Sequence, residues 1–185
     1  MNIYQIIYFI WFLSELYLNR FVRAGKTDKK YADKNTESYV WITIVVSIII
    51  GVFVSVNFIH PIIPGDLLTL IGVIILVIGM IFRFVAIIQL GRFFTVNVTI
   101  RTGHQLVQSG LYKYLRHPSY SGSLLSFLGF GISLNNWLSL AIVILPTFFA
   151  FIYRMKIEEK VLTEQFGKQY QDYINSTKRI IPFVY

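Results

Sequence analysis

Apolar residues fall in five blocks, at 3–18, 39–58, 67–90, 120–134 and 137–153, separated by short polar or breaker-rich stretches. The second block is 20 residues long. As a helix rising about 1.5 Å per residue it would cover about 30 Å, the thickness of a bilayer's hydrocarbon core. The third is interrupted only near its far end, by Arg83 and Gln89, and the turn before it holds His60, Pro61, Pro64, Gly65 and Asp66. The fourth and fifth are joined by Asn135-Asn136 and read as a helical hairpin, with Pro146 predicting a kink in the second arm. The first block sits where a signal peptide would, yet it has no basic leader, carries Glu15 and ends without a small-residue cleavage site. It is read as a retained helix. Beyond residue 153 the period changes. Ile157, Val161, Leu162 and Phe166 recur at helical spacing among charges, predicting an amphipathic helix from Arg154 that Gly167 ends. A second short helix would carry Tyr170, Tyr173 and Ile174.

Composition settles what solvent these blocks meet. Of 185 residues, 55% are hydrophobic and only 14% charged, with a mean hydropathy of +0.61, against about 25% charged in soluble proteins. The expected fold is all-α, a polytopic membrane bundle of about five transmembrane helices. It divides into residues 1–90, three N-terminal helices, and 91–185, which hold a polar loop, the hairpin and the amphipathic tail. Seventeen Lys and Arg against nine Asp and Glu give +8, but the basic residues sit in the connections: Arg20, Arg23, Lys26, Lys29, Lys30 and Lys34; then Arg92, Arg101, Lys113 and Arg116; then the tail from Arg154. That placement speaks for membrane topology and lipid headgroups and against nucleic acid. The loops around 60–66 and 135–136 have no Lys or Arg, so an N-terminus outside and a C-terminus in the cytoplasm are expected, with both polar segments on the cytoplasmic face. With no cysteine, disulfides, thiolate metal sites and a cysteine nucleophile are excluded, and no metal is expected. Small residues mark helix contacts at Ser47, Gly51 and Ser55 and at Gly122, Ser126, Gly129 and Ser133; such faces also permit a homodimer.

Two polar constellations carry candidate chemistry. The loop 92–117 spans 26 residues without an apolar run, long for a membrane connector. Its Gly103 and Gly110 allow close backbone approach, and Pro118 holds His117 extended before the next helix, whose first N–H groups suit a carboxylate or an adenine nitrogen. The plainer account is an interfacial loop anchored at headgroups. About 30 residues further on, Arg154 and Glu158 stand one helical turn apart, placed to share a ligand or to form a solvated ion pair. A carboxylate there can accept from two ribose hydroxyls, and a guanidinium can hold a carboxylate bidentately. Arg83 is a charge within a span; it is expected to pair with Glu15 or to line a lipid entrance, with snorkelling to the surface as the alternative.

Taken in order, Gly103-His104-Gln105-Leu106-Val107, Gly110-Leu-Tyr112, Arg116-His117-Pro118-Ser119-Tyr120-Ser-Gly122, Arg154-x-x-x-Glu158-Glu159 and Phe166-Gly167 with Tyr170-x-x-Tyr173 resemble the isoprenylcysteine carboxyl methyltransferase family and its phospholipid-methyltransferase relatives. The resemblance covers 91–183, about half the chain. It implies an S-adenosylmethionine-dependent methyltransferase that releases S-adenosylhomocysteine and takes a lipophilic acceptor from the membrane. By position it implies donor contacts at Asn97, His104, Gln105, Leu106, Val107, Tyr112, His117, Pro118, Ser119, Tyr120 and Glu158. Arg154 would face the acceptor carboxylate, with Arg116 and Glu159 as further catalytic candidates. A carboxylate acceptor, with a reference pKa near 3.5, is already ionised and needs no base; an amine, thiol or phenol would need one, for which His117 or Glu159 is nearest. Two other classes stand beside this one. Membrane NADPH-dependent sterol-type reductases share the Arg-His-Pro-x-Tyr stretch, but usually continue with an acidic residue where this chain has Ser121-Gly122-Ser123. A non-enzymatic scaffold or transporter subunit would bind no donor.

Overall fold

The structure is a computed structural model and describes residues 2–21, 29–30, 36–58, 61–95, 99–100 and 103–181. Among them are six α-helices: α1 (Ile3–Phe21), α2 (Thr36–Asn57), α3 (Leu67–Leu90), α4 (Pro118–Ser133), α5 (Trp137–Phe166) and α6 (Lys168–Ser176). Two-residue strands at Lys29–Lys30 and Thr99–Ile100 pair antiparallel. The five apolar blocks therefore form α1 to α5. Three stretches, Thr36–Asn57, Leu67–Phe93 and Trp137–Phe166, are long and apolar enough to cross a membrane on their own. Their outer faces carry exposed Ile42, Ile49 and Phe53 on α2 and Ile74, Ile81 and Ile88 on α3, a surface suited to lipid.

The core is a close seam between α3 and α4. A Cβ on Gly72 would lie 2.6 Å from Gly129 O, one on Gly129 would lie 2.3 Å from Leu76 N, and one on Gly122 would lie 2.5 Å from Arg83 N. The expected small-residue face of α4 is thus spent inside the chain, where Ser126 also donates to Leu76 O at 3.2 Å. On α2, Ser47 and Gly51 are buried, Gly51 against Val143 of α5, while Ser55 is half-buried. Helix α1 closes the bundle, with Trp11 edge-on to Phe127 at 5.1 Å.

Helix α5 departs from expectation. It runs unbroken through Pro146 for 30 residues, so the amphipathic segment from Arg154 is the continuation of the fifth apolar block and no separate helix. At about 1.5 Å per residue it is about 45 Å long, some 15 Å more than a hydrocarbon core. Its apolar stretch is 137–153, and the charged turns 154–166 lie in the excess. Gly167, at φ +55, ends it with its N–H on Thr163 O at 2.8 Å. At the far end of the bundle the two short loops are tied together. Asn135 accepts from Ile62 N at 3.0 Å and donates to Ile63 O at 2.8 Å, and Asn136 donates to Phe58 O at 2.8 Å.

Candidate functional site

Neighbouring residues on a helix point about 100° apart, so the adjacent Glu158 and Glu159 serve different surroundings. Glu158 faces a cavity at the charged end of the bundle, as does Arg154 one turn earlier. Glu159 turns away and is 8% exposed. Its Oε1 takes Arg116 Nε at 3.0 Å, His117 Nε2 at 3.2 Å and Arg179 Nε at 3.1 Å, and its Oε2 takes Arg179 Nη2 at 2.6 Å. Burial alone would raise its pKa, but the hydrogen bonds and charges of His117 and Arg179 outweigh burial and pull it down to about 2. Glu159 is a fixed anion.

That anion pins a strap. Pro118 opens α4, and buried His117 precedes it at φ −125, ψ 57, outside the helical region that a following proline disfavours but short of the fully extended conformation expected from the sequence. The 114–117 segment then pairs with the tail: Arg116 N donates to Lys178 O at 2.7 Å, His117 N to Arg179 O at 3.0 Å and Lys178 N to Tyr114 O at 3.0 Å. Arg116 Nη1 also caps Ile174 O at 2.9 Å. The tail thereby lays α6 along the cavity.

The cavity encloses about 1330 Å³ of space, counting the solvent at its open mouth. One end is polar and aromatic, lined by Phe93, His104, Tyr112, Glu158, Tyr170 and Tyr173. His104 is stacked on Phe93 at 4.8 Å and set edge-on to Phe166 at 5.6 Å. Tyr120 and Glu158 meet at 3.1 Å, the hydroxyl donating. Burial, chiefly, pushes the Tyr112 and Tyr173 hydroxyls above their ordinary 10.0, so both stay neutral donors. The other end faces the bundle interior through Val40, Trp41, Ile44 and Phe151, with Arg154 donating to the Thr36 hydroxyl. Also on the wall, Arg83 Nε meets Glu15 at 3.0 Å, and its Nη1 reaches Ser123 Oγ at 2.5 Å and Ser119 O at 3.3 Å. The Glu15–Arg83 pair expected from two lone charges in apolar blocks is present.

A sequence profile of the isoprenylcysteine carboxyl methyltransferase family matches residues 71–164. This chain belongs to that family. Protein-S-isoprenylcysteine O-methyltransferase B of Arabidopsis thaliana is 37% identical over 115 residues, covering 61% of this chain and 58% of the plant protein. The Saccharomyces cerevisiae protein-S-isoprenylcysteine O-methyltransferase is 35% identical over 120 residues, 64% of this chain and 50% of the yeast one. A solved structure of a eukaryotic intramembrane Ras methyltransferase, isoprenylcysteine carboxyl methyltransferase, superposes with a TM-score of 0.71 at 27% identity, over 98% of this chain and 65% of that one. The matches thus span between half and two thirds of these relatives. Membership in the isoprenylcysteine carboxyl methyltransferase family implies a methyl donor, and with its three long apolar helices the chain is an integral membrane protein.

The family match begins inside α3, 20 residues before the motif-bearing region marked out above, and stops before α6. Of the residues named from sequence, His104, Leu106, Val107, Tyr112, Arg116, His117, Ser119, Tyr120, Arg154, Glu158 and Arg83 line the one cavity. Gln105 is exposed, Pro118 is buried at the start of α4, and Glu159 lies behind the wall; none of the three lines it. Asn97 lies outside the described residues, as do His60 and Arg101. Sequence reasoning missed Phe93, Glu37 and Trp41 on the wall and Arg179 in the anion cluster. The alternation of Phe166, Tyr170 and Tyr173 was the one available sign that the tail returns to the site.

Proposed function

We propose that this chain is a membrane methyltransferase that transfers a methyl group from S-adenosylmethionine to the carboxylate of an isoprenylcysteine-like lipid. The observation that carries this is one cavity lined by both polar and apolar groups, with Arg154 and Glu158 reaching into it from one helix face. The polar end fits the donor, since Glu158 offers acceptors for ribose hydroxyls and His104 and Phe93 offer faces for a purine. When bound, S-adenosylmethionine supplies an electrophilic methyl group on a sulfonium.

The remaining roles fall to the chain's own side chains. Arg154 holds the acceptor carboxylate, and the Val40, Trp41 and Ile44 side of the cavity takes its hydrocarbon. Positioning of the two reactants supplies the rate. No general base is needed for a carboxylate, and Glu159 is not available as one, since Arg116, His117 and Arg179 hold both its oxygens. Arg116 and Glu159 therefore act by fixing the strap and the His117 backbone. The Arg83–Glu15 pair borders the acceptor's route between α1 and α3. In this reading the chain crosses five times, with the N-terminus outside and the site at the cytoplasmic face, which the placement of basic residues supports. Residues 1–90 supply most of the apolar wall for the acceptor, and 91–185 supply the donor side together with Arg154.

Purified in detergent, the protein should bind S-adenosylhomocysteine and not NADPH, and should transfer labelled methyl to an S-farnesylcysteine analogue. NADPH binding without S-adenosylhomocysteine binding overturns the proposal. Transfer into a lipid amine, thiol or phenol, but not the carboxylate, overturns the acceptor assignment alone.

A further inference from the structure

Four tyrosines line the cavity, and three of their hydroxyls have protein partners. Tyr112 donates to Ala86 O at 3.3 Å, Tyr120 to Glu158 at 3.1 Å, and Tyr173 to Tyr112 O at 2.6 Å. Tyr170, on α6, differs. It is 1% exposed, and its hydroxyl is sealed from solvent with no partner among the described residues. Native proteins pair nearly all buried polar groups, so an orphaned one needs a reason. Packing does not provide it, because phenylalanine would set the same ring against Tyr173, 5.9 Å away, without the hydroxyl.

The surroundings say what the hydroxyl can do. Burial first, then the negative charges of Glu159 and Glu158, push its ionisation far above the ordinary 10.0. It is a neutral O–H with a proton to donate, on a side chain that lines the same cavity as Glu158. The strap and α6 hold the ring there through Tyr173 and through Arg116 on the Ile174 and Thr177 carbonyls.

We propose that Tyr170 is a donor-binding residue, its hydroxyl completing a hydrogen bond with S-adenosylmethionine at the end of the cavity that Glu158 lines. The proposal rests on the donor assignment above and adds to it a residue from α6, beyond the part of the chain that the family profile matches.

The test is Tyr170→Phe in the full chain, with Tyr173→Phe beside it, reading the thermal midpoint of the ligand-free protein and the S-adenosylhomocysteine dissociation constant. A hydroxyl kept for a ligand predicts opposite signs. The Tyr170→Phe midpoint should hold or rise, while the dissociation constant rises about tenfold, the worth of one hydrogen bond. Tyr173→Phe should lower the midpoint, since it removes bonds to Tyr112 O and Leu115 O. A Tyr170→Phe dissociation constant within about twofold of the parent, or a midpoint that falls as affinity falls, overturns the proposal. If the parent protein itself binds no S-adenosylhomocysteine, the donor assignment fails and this inference with it.

Discussion

The seam between α3 and α4 and the strap between 114–117 and the tail both hold long-range parts of the chain together, by opposite means. At the seam the backbones touch through Gly72, Gly79, Gly122 and Gly129, and shape does the holding. At the strap the two segments share a short backbone ladder, and one carboxylate collects two guanidinium groups and an imidazole. A seam made of missing atoms tolerates no addition. A strap made of charge tolerates no loss of its anion. The first positions the helices that wall the cavity, and the second positions the loop and the α6 residues that give it chemistry.

The sharpest break of this contrast is at Gly129. A side chain there must push α3 away, since even a Cβ would lie 2.3 Å from Leu76 N. Gly129→Leu should cost well over about 3 kcal/mol, beyond ordinary overpacking because backbone and not side chain must move, and should yield no monodisperse protein by size exclusion in detergent. Recovery of a folded, donor-binding protein would show that the seam is looser than its geometry.

Next in size is Glu159→Gln. It leaves Arg116, His117 and Arg179 gathered around a neutral amide, and breaking such a partly buried cluster should cost about 3 kcal/mol. The strap should loosen first, so limited proteolysis should cut within 168–181 while the helical core survives. The pH dependence has a defined sign. The folded pKa of Glu159 lies near 2, below the ordinary carboxylate value of about 4.3, so the stability it contributes is present above the unfolded value and lost as pH falls toward the folded one. The stability gap between parent and variant should therefore close as pH falls from about 4 toward 2. A gap that persists undiminished to about pH 2 would place the stabilising anion elsewhere.

Glu158→Gln carries the contrast to the cavity itself. Its carboxylate accepts from Tyr120 at 3.1 Å and faces the proposed donor, so its loss should weaken S-adenosylhomocysteine binding by about 10- to 100-fold. The thermal midpoint should move far less than for Glu159→Gln. Equal effects at both positions would mean that Glu158 too is a structural anion.

The same contrast explains what could be read from the chain alone. The seam was legible because its device is local: Gly and Ser at helical spacing on α4 announce a close approach whatever the partner. Arg154 and Glu158 were legible for the same reason, and the Glu15–Arg83 pair because two lone charges in apolar blocks have few other places to go. The strap was not legible. Nothing in Lys178-Arg179 says that it returns to residues 115–117, because that pairing is set by the tertiary path of α5 and α6. For the same reason Glu158 and Glu159 could not be told apart by role, and Gln105, inside a motif whose neighbours line the cavity, turns out to solvent. The onset of charge at Arg154 read as a new helix, when tertiary packing carries α5 straight through.

The smallest effect is expected at the far end of the bundle, and it separates stability from chemistry. Asn135 sits at φ +49, the one non-glycine residue with positive φ among those described, and its amide bridges the Ile62, Ile63 and Gly65 backbone. Asn tolerates this conformation better than most residues because its short polar side chain bonds locally. Asn135→Gly keeps the backbone geometry and removes only the amide, so it should cost about 1 kcal/mol and leave the donor dissociation constant unchanged. Asn135→Ala adds strain at positive φ and should cost about 1 kcal/mol more. If either variant weakened donor binding at the opposite end, the bundle would transmit strain along α4 and α5 rather than holding its two ends independently, and the cavity would depend on the very turn that the seam geometry makes a separate anchor.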